Sequence, residues 1–306
     1  MTKRLFHQNH PILTGIFILG GIFIVCWTGI TFFSSMFSPT NSPKADLFSK
    51  GAVGIIELKG IIVDPEQIIK DLVSFRVNNN IKAIVLRIDC PGGAVGASQE
   101  IFREVQRTDQ TKPVIASMGS IAASGGYYAA LGARKIMASR GTLTGSIGVI
   151  MKFANLEEIF QKIGYKAEVI KSGKLKDTGS SSRALTQTER NFLQNLIDNV
   201  HSQFVKDVGK ARNLPEEKVR ELADGRIFSG EQAKELGLID NFGNFTDATM
   251  EAAAMANLKT VNPQLVYPER KKLSVFNLLA GEQGSALLDL IKPKYPILSY
   301  EWSLGR

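Results

Sequence analysis

Short apolar runs alternate with amphipathic stretches over residues 51–170. Val53–Leu58, Ala83–Ile88, Pro113–Met118 and Lys135–Ala138 read as strands, as do the shorter runs 147–150 and 167–170. Of these, Ala83–Ile88 reads as a buried strand ending at Asp89. Residues 65–77 and about 96–108 carry the helical spacing between them. Regular strand–helix alternation predicts an α/β domain with largely parallel strands. A longer helix is expected from about 187 to 211. Its apolar stripe is Phe192, Leu193, Leu196, Ile197, Val200, Phe204 and Val208, and Thr186 with Glu189 forms a capping box at its start. Residues 261–306 lose the alternation. They hold a short amphipathic stretch near 273–291 and a Pro-containing tail.

The N-terminus follows a different pattern. Ile12 to Phe33 is a mostly apolar run without charge, and Pro11 to Pro43 holds no charged residue at all. A helix needs about 20 such residues to cross a bilayer, and a signal-peptide apolar region is shorter than this run. Lys3 and Arg4 precede it, which predicts a cytoplasmic N-terminus and a large domain on the other side. Residues 34–50 are rich in Ser and Pro and read as a linker.

Charge adds little to this picture. The net charge is +8, and beyond residue 50 the chain holds 33 basic against 28 acidic residues, spread without blocks. That distribution gives no nucleic-acid footprint. Cys26 lies in the apolar run and Cys90 in the soluble part, so no disulfide is expected. No cysteine–histidine cluster has metal spacing, and no cofactor motif is present.

The candidate chemistry lies just past the strands. Ser124 stands in Ala122-Ala123-Ser124-Gly125-Gly126, Pro91-Gly92-Gly93 lies upstream, and Lys171, Lys174 and Lys176 follow downstream. Serine needs a positioned base to act as a nucleophile. The three histidines are His7, His10 and His201. Two of them precede the apolar run, and the third belongs on a helix surface. A lysine is therefore the expected base, and it serves only when neutral. From a reference pKa of about 10.4, a shift of roughly two to three units costs about 3–4 kcal/mol, supplied by burial. A hydroxyl from Thr144-Gly145-Ser146 could orient the amine. Glycines at 92, 93 and 125 leave backbone N–H groups open to an oxyanion, each such donor being worth about 3–4 kcal/mol. On spacing alone, all three lysines stay open, and an enzyme and a binding domain are equally supported.

Five segments carry a family resemblance: IDCPGGA at 88–94, SMGSIAASGGYY at 117–128, LTGSIGVI at 143–150, KSGKLKD at 171–177 and ADGRIFSGEQAKELGLID at 223–240. In this order they resemble signal peptide peptidase A, the short bacterial form, whose fold is like that of ClpP and the crotonases. The resemblance implies Ser124 as nucleophile, Lys176 (at the family's Lys-Asp position) as general base, Ser146 as the residue orienting it, and Gly93 and Gly125 as the oxyanion hole. Cys90 departs from the family's more usual Ser. The resemblance further implies a homo-oligomer whose sites lie between protomers, with Ser and Lys from different copies, and peptide substrates, namely cleaved signal peptides. The expected organisation is a cytoplasmic N-terminus (1–11), a transmembrane anchor (12–33), a linker (34–50), a peptidase domain (51–260) and a C-terminal extension (261–306). The expected location is a bacterial cytoplasmic membrane, with the domain facing the periplasm or exterior. Two other classes compete: a crotonase-like acyl-CoA enzyme, which would use the same glycine donors, and a non-catalytic membrane scaffold.

Overall fold

The computed structural model describes residues 19–29, 51–260, 262–269 and 299–301. Residues 19–29 are helical. The rest of the 12–33 run, the 34–50 linker and the 273–291 stretch lie outside the described residues. Among the described residues no helix is long and apolar enough to cross a membrane. The chain divides into two compact units, Met1–Phe48 and Ser49–Arg306; the second holds the sheet.

Three long parallel strands form the centre of that sheet: β1 (Ala52–Lys59), β2 (Ile81–Cys90) and β4 (Val114–Ala123). Helix α1 (Glu66–Val77) connects β1 to β2, and α2 (Val95–Asp109) connects β2 to β4 after the short strand β3 (Gly92–Ala94). Strand β4 then forks. Its first half pairs in parallel with β5 (Lys135–Ala138), and its last residues with β6 (Leu143–Gly145). Strand β7 (Ile227–Ser229) adds antiparallel to β6, and the two-residue strands β8 (Asn241–Phe242) and β9 (Leu265–Val266) complete the edges. The expected α/β architecture with mostly parallel strands is what the chain forms.

Both faces of the sheet are covered, as the unbroken apolar runs require. Ile56, Ile84, Leu86 and Ile88 join the larger core with Leu72 and Phe75 of α1 and Ile101, Phe102 and Val105 of α2. Val53, Ile55, Ala83, Val85 and Ile115 face the other way, onto Ala248, Ala252 and Ala253 of the helix Phe245–Met255. Each fully buried Leu, Ile or Val contributes about 1.5–3 kcal/mol. One face thus takes large side chains, while the other admits a close-packed alanine helix.

Two expected strands are absent. Residues 147–150 follow β6 rather than forming a strand. Strand β4, the partner of β6, ends at Ala123, and Ser146 has φ 48°, so the ladder has nothing to continue on. Residues 167–170 have no strand partner, and Ile170 is fully exposed. A β-prone tetrapeptide without a neighbour to pack on gains nothing from its propensity. The long helix forms as expected over Gln187–Arg212, with the Thr186–Glu189 capping box made in both directions. Its stripe is divided, however. Val200, Phe204 and Val208 are buried, whereas Phe192 and Leu196 are exposed.

Candidate active site

Strand β4 delivers Ser124 to the carboxyl end of the sheet, where α/β folds place their sites. The chain turns there into the one-and-a-half-turn helix α3 (Gly125–Ala130), with Ser124 as its N-cap residue at φ 54°, ψ −115°. A non-glycine residue in such a conformation costs about 1–3 kcal/mol. Two backbone bonds hold the bend. Ser124 N–H donates to the Gly145 carbonyl at 2.8 Å, and Ser124 C=O accepts from Tyr128 N–H at 2.8 Å. The Ser124 side chain is buried, and its Oγ has no hydrogen-bond partner among the described residues. An unpaired buried hydroxyl costs about 1–3 kcal/mol more. The fold therefore keeps this hydroxyl strained and uncommitted.

Ser146 stands beside it for a topological reason. Ala123 and Gly145 are register partners in β4 and β6, so the next residue of each strand is Ser124 and Ser146 respectively. Ser146 N–H donates to the Arg226 carbonyl at 2.8 Å, and Thr144 Oγ1 donates to the Ala122 carbonyl at 2.8 Å. Thr144 is thus committed to the strand, whereas the Ser146 hydroxyl has no hydrogen-bond partner among the described residues.

The glycine backbones meet at the same place. Strand β3 is held by Ile62, whose N–H donates to Gly92 C=O at 2.8 Å and whose C=O accepts from Ala94 N–H at 2.7 Å. Gly92 has φ 116°, and a Cβ there would lie 2.1 Å from the Tyr300 carbonyl oxygen and 3.0 Å from the Gly125 nitrogen. A Cβ on Gly125 would lie 2.5 Å from Ser98 Oγ and 3.1 Å from the Gly93 nitrogen. Only glycine allows these three backbones so close together. Cys90 supports them from below. Its Sγ accepts from Gly92 N–H at 3.3 Å, and burial pushes its thiol pKa up to about 11, which keeps it neutral.

A further strand, β10 (Ser299–Glu301), lies antiparallel on β3 with Tyr300 opposite Gly93. The Tyr300 side chain is fully buried, stacked on Tyr128 at 5.2 Å and tilted against Phe204 at 4.7 Å. The Tyr128 hydroxyl donates to Asp207, and burial followed by that carboxylate raises its pKa. In the sequence this strand is marked only by the apolar and aromatic Ile297-Leu298-Ser299-Tyr300, which shows no period.

The lysines lie elsewhere. Lys171, Lys174 and Lys176 sit on an exposed turn, where Lys176 N–H donates to Gly173 C=O at 3.1 Å. Lys171 is ion-paired with Asp177, and its Nζ also donates to the Lys174 carbonyl at 3.2 Å. Lys174 and Lys176 make no side-chain hydrogen bond or ion pair among the described residues. Of the residues implied by the resemblance, the single chain brings together Ser124, Ser146, Gly93 and Gly125, but among the described residues no lysine amine is in hydrogen-bonding contact with Ser124.

Residues 106–259 match the model of peptidase family S49. The chain belongs to peptidase family S49. A Synechocystis sp. relative described as a protease is 48% identical over 200 residues, which cover 65% of this chain and 72% of that one. An Enterococcus faecium S49 relative, described as a signal peptide peptidase, is 31% identical over 72% of this chain and 70% of its own. Protease 4 of Salmonella typhi is 35% identical over 83% of this chain, but the match spans only 43% of that protein. Among solved structures, a mutant of the membrane-bound stomatin-specific protease 1510-N aligns with 73% of this S49 chain and 100% of its own at 17% identity, TM-score 0.49. A mutant of ClpP1 from Listeria monocytogenes aligns with 64% of this chain and 94% of its own at 17% identity, TM-score 0.44. The family match begins at residue 106, beyond β3, so the Gly92–Gly93 side of the site rests on its own geometry.

Proposed function

We propose that this S49 serine peptidase is a membrane-anchored Ser–Lys endopeptidase that degrades remnant signal peptides after their release from secretory proteins. The observation carrying this reading is Ser124: a buried, unpartnered hydroxyl on a strained bend, beside two glycine backbones. In the proposed reaction a peptide carbonyl lies between Ser124 Oγ and the N–H groups of Gly93 and Gly125. Neutral Lys176 from a neighbouring copy takes the Ser124 proton as Oγ attacks, and Ser146 holds the amine in place. The oxyanion draws on the two N–H donors, at about 3–4 kcal/mol for one such donor. The amine then passes its proton to the leaving peptide nitrogen. Water, deprotonated by the same lysine, releases the acyl group and restores Ser124.

In this structure the chain's own β10 occupies the β3 edge, with Tyr300 buried among Tyr128 and Phe204, so a peptide substrate would add to this edge as an extended strand in place of β10. Apolar signal-peptide segments suit such a pocket. The uncharged Ile12–Phe33 run would tether the enzyme to the membrane where such peptides remain, with its domain on the periplasmic or exterior side.

The test is the intact mass of full-length protein after treatment with a fluorophosphonate. One adduct on the wild type, lost in both Ser124→Ala and Lys176→Ala, is the expected result, together with a fall in peptide cleavage of at least about 10³-fold. No adduct on a verified wild-type oligomer would move the reading to a scaffold.

A further inference from the structure

Asp177 adjoins Lys176 in sequence, and its carboxylate is gripped from both sides. Lys171 pairs with it from the start of the turn. Arg183 approaches from the far end, with Nε 3.1 Å from Oδ2 and an Nη 3.0 Å from Oδ1. These contacts close the neck of the 172–182 segment, so the stretch bearing Lys174 and Lys176 projects from a fixed base. Arg183 then carries the link into the fold, donating to Glu189 at 2.9 Å through one Nη and 2.5 Å through the other. Glu189 is almost fully buried, and its Oε2 also accepts from Thr186 N–H at 2.8 Å, closing the capping box of the long helix.

We propose that Arg183 is a positioning residue for the peptidase reaction: through Asp177 it fixes the Lys176 turn to the start of helix Gln187–Arg212 and offsets the negative charge beside the base. This rests on the reading of Lys176 as the base. The charge argument is direct. A carboxylate next to a lysine favours its ammonium form, which cannot accept a proton. Among the described residues, the charged groups on the turn or in contact with its clamp are Lys171, Lys174 and Asp177 on the turn itself, Arg183 after it, Glu189 from the long helix, and Glu157 from the short helix Glu157–Lys162, which accepts from Ala184 N–H at 3.0 Å. Arg183 is the only one of these that contacts both Asp177 and Glu189. An arginine suits this place because its planar fork serves two carboxylates at once, which a lysine ammonium does less well.

The experiment uses full-length protein with Arg183→Gln, Arg183→Lys and Asp177→Asn. It measures kcat/KM against pH on a quenched fluorescent peptide with an apolar core, and checks folding and assembly for each variant. Arg183→Gln is expected to lose about tenfold in plateau kcat/KM, the scale of one strong pairwise coupling, and to move the acid limb to higher pH. Arg183→Lys should recover part of both. Asp177→Asn should also lower the plateau but move the limb to lower pH, because it removes the anion and leaves the two cations. Should Arg183→Gln not fold, Asp177→Asn carries the test. A folded, assembled variant with a wild-type plateau, or a lowered plateau without limb movement, would overturn the proposal. Lys176→Ala separates the two levels. Activity surviving in it would sink the dyad itself, whereas a dead Lys176→Ala beside a wild-type Arg183→Gln would sink only the positioning role.

Discussion

The serine side and the lysine side of this protein are built on different principles. Ser124 ends a strand at the centre of a sheet covered on both faces, and its strain is held by Gly145, Tyr128 and the glycine backbones around it. The segment 150–186 has no described strand, and Ile159, Ile163, Tyr165, Val169, Ile170 and Leu175 are exposed along it. What fixes it is polar: the Lys171–Asp177–Arg183–Glu189 chain and its cap. A packed core can store strain because many contacts over-determine one conformation. A polar clamp on an open segment sets a position but leaves apolar surface for something else to cover.

The largest expected effect is on the core side. Leu86 is fully buried in β2, so Leu86→Ala should cost about 2–5 kcal/mol in chemical denaturation, with the slope unchanged. A loss below about 1 kcal/mol would mean the sheet does not hold the serine as tightly as its burial suggests.

The next effect is chemical. A Cβ on Gly125 meets Ser98 Oγ at 2.5 Å and the Gly93 nitrogen at 3.1 Å. Gly125→Ala should therefore spread the two proposed donors and lower kcat by about 10²–10³-fold, as losing one oxyanion donor does, with a much smaller change in KM. Equal rises in KM and falls in kcat would point to a crushed peptide groove instead.

These two regions also differ in how far the sequence revealed them. The central strands were legible because parallel strands buried on both faces leave apolar runs that nothing else explains, and Ser124 was legible as the residue just past one of them. The capping box was legible because Thr186 and Glu189 interact within one turn. The 147–150 and 167–170 runs misled because a strand exists only where a partner lies beside it, and composition does not carry that. Arg183 was missed because its partners lie six residues away on either side, at Asp177 and Glu189, a spacing that matches no helix or strand period. The pairing of Tyr300 with Gly93 spans about two hundred residues and no local rule reaches it.

Acid should loosen the lysine side first. Lys171, then Arg183, hold the Asp177 carboxyl below its ordinary range, and Arg183, then the Thr186 N–H, do the same for Glu189. Groups with depressed native pKa values stabilise fully above their unfolded values, about 3.9 and 4.3, and lose that contribution as pH falls through the native ones. From about pH 4 downward, amide protection over 171–190, measured against intrinsic exchange rates, should fall before that of β1, β2 and β4, which hold no such clamp. A uniform fall in protection would mean that the two regions unfold as one.

The smallest effect on the chain's own stability is expected at Ile170, and there the comparison is sharpest. Its side chain is fully exposed, so Ile170→Ser should change stability by less than about 0.5 kcal/mol, whereas Leu86→Ala in the core costs several times more. Yet the same chain exposes Val169, Phe192 and Leu196 as well, apolar surface that a second copy could cover. If a second copy covers it while supplying Lys176, Ile170→Ser should weaken self-association in sedimentation and lower activity more at low protein concentration than at high. Mixing inactive Ser124→Ala with inactive Lys176→Ala should then restore part of the activity, since a site between copies can take its serine from one and its lysine from the other. Restoration that Ile170→Ser abolishes would tie the uncovered surface to the missing contact between Ser124 and a lysine. No restoration at any mixing ratio would place both groups in one chain and leave the exposed side chains as surface for the membrane or for substrate.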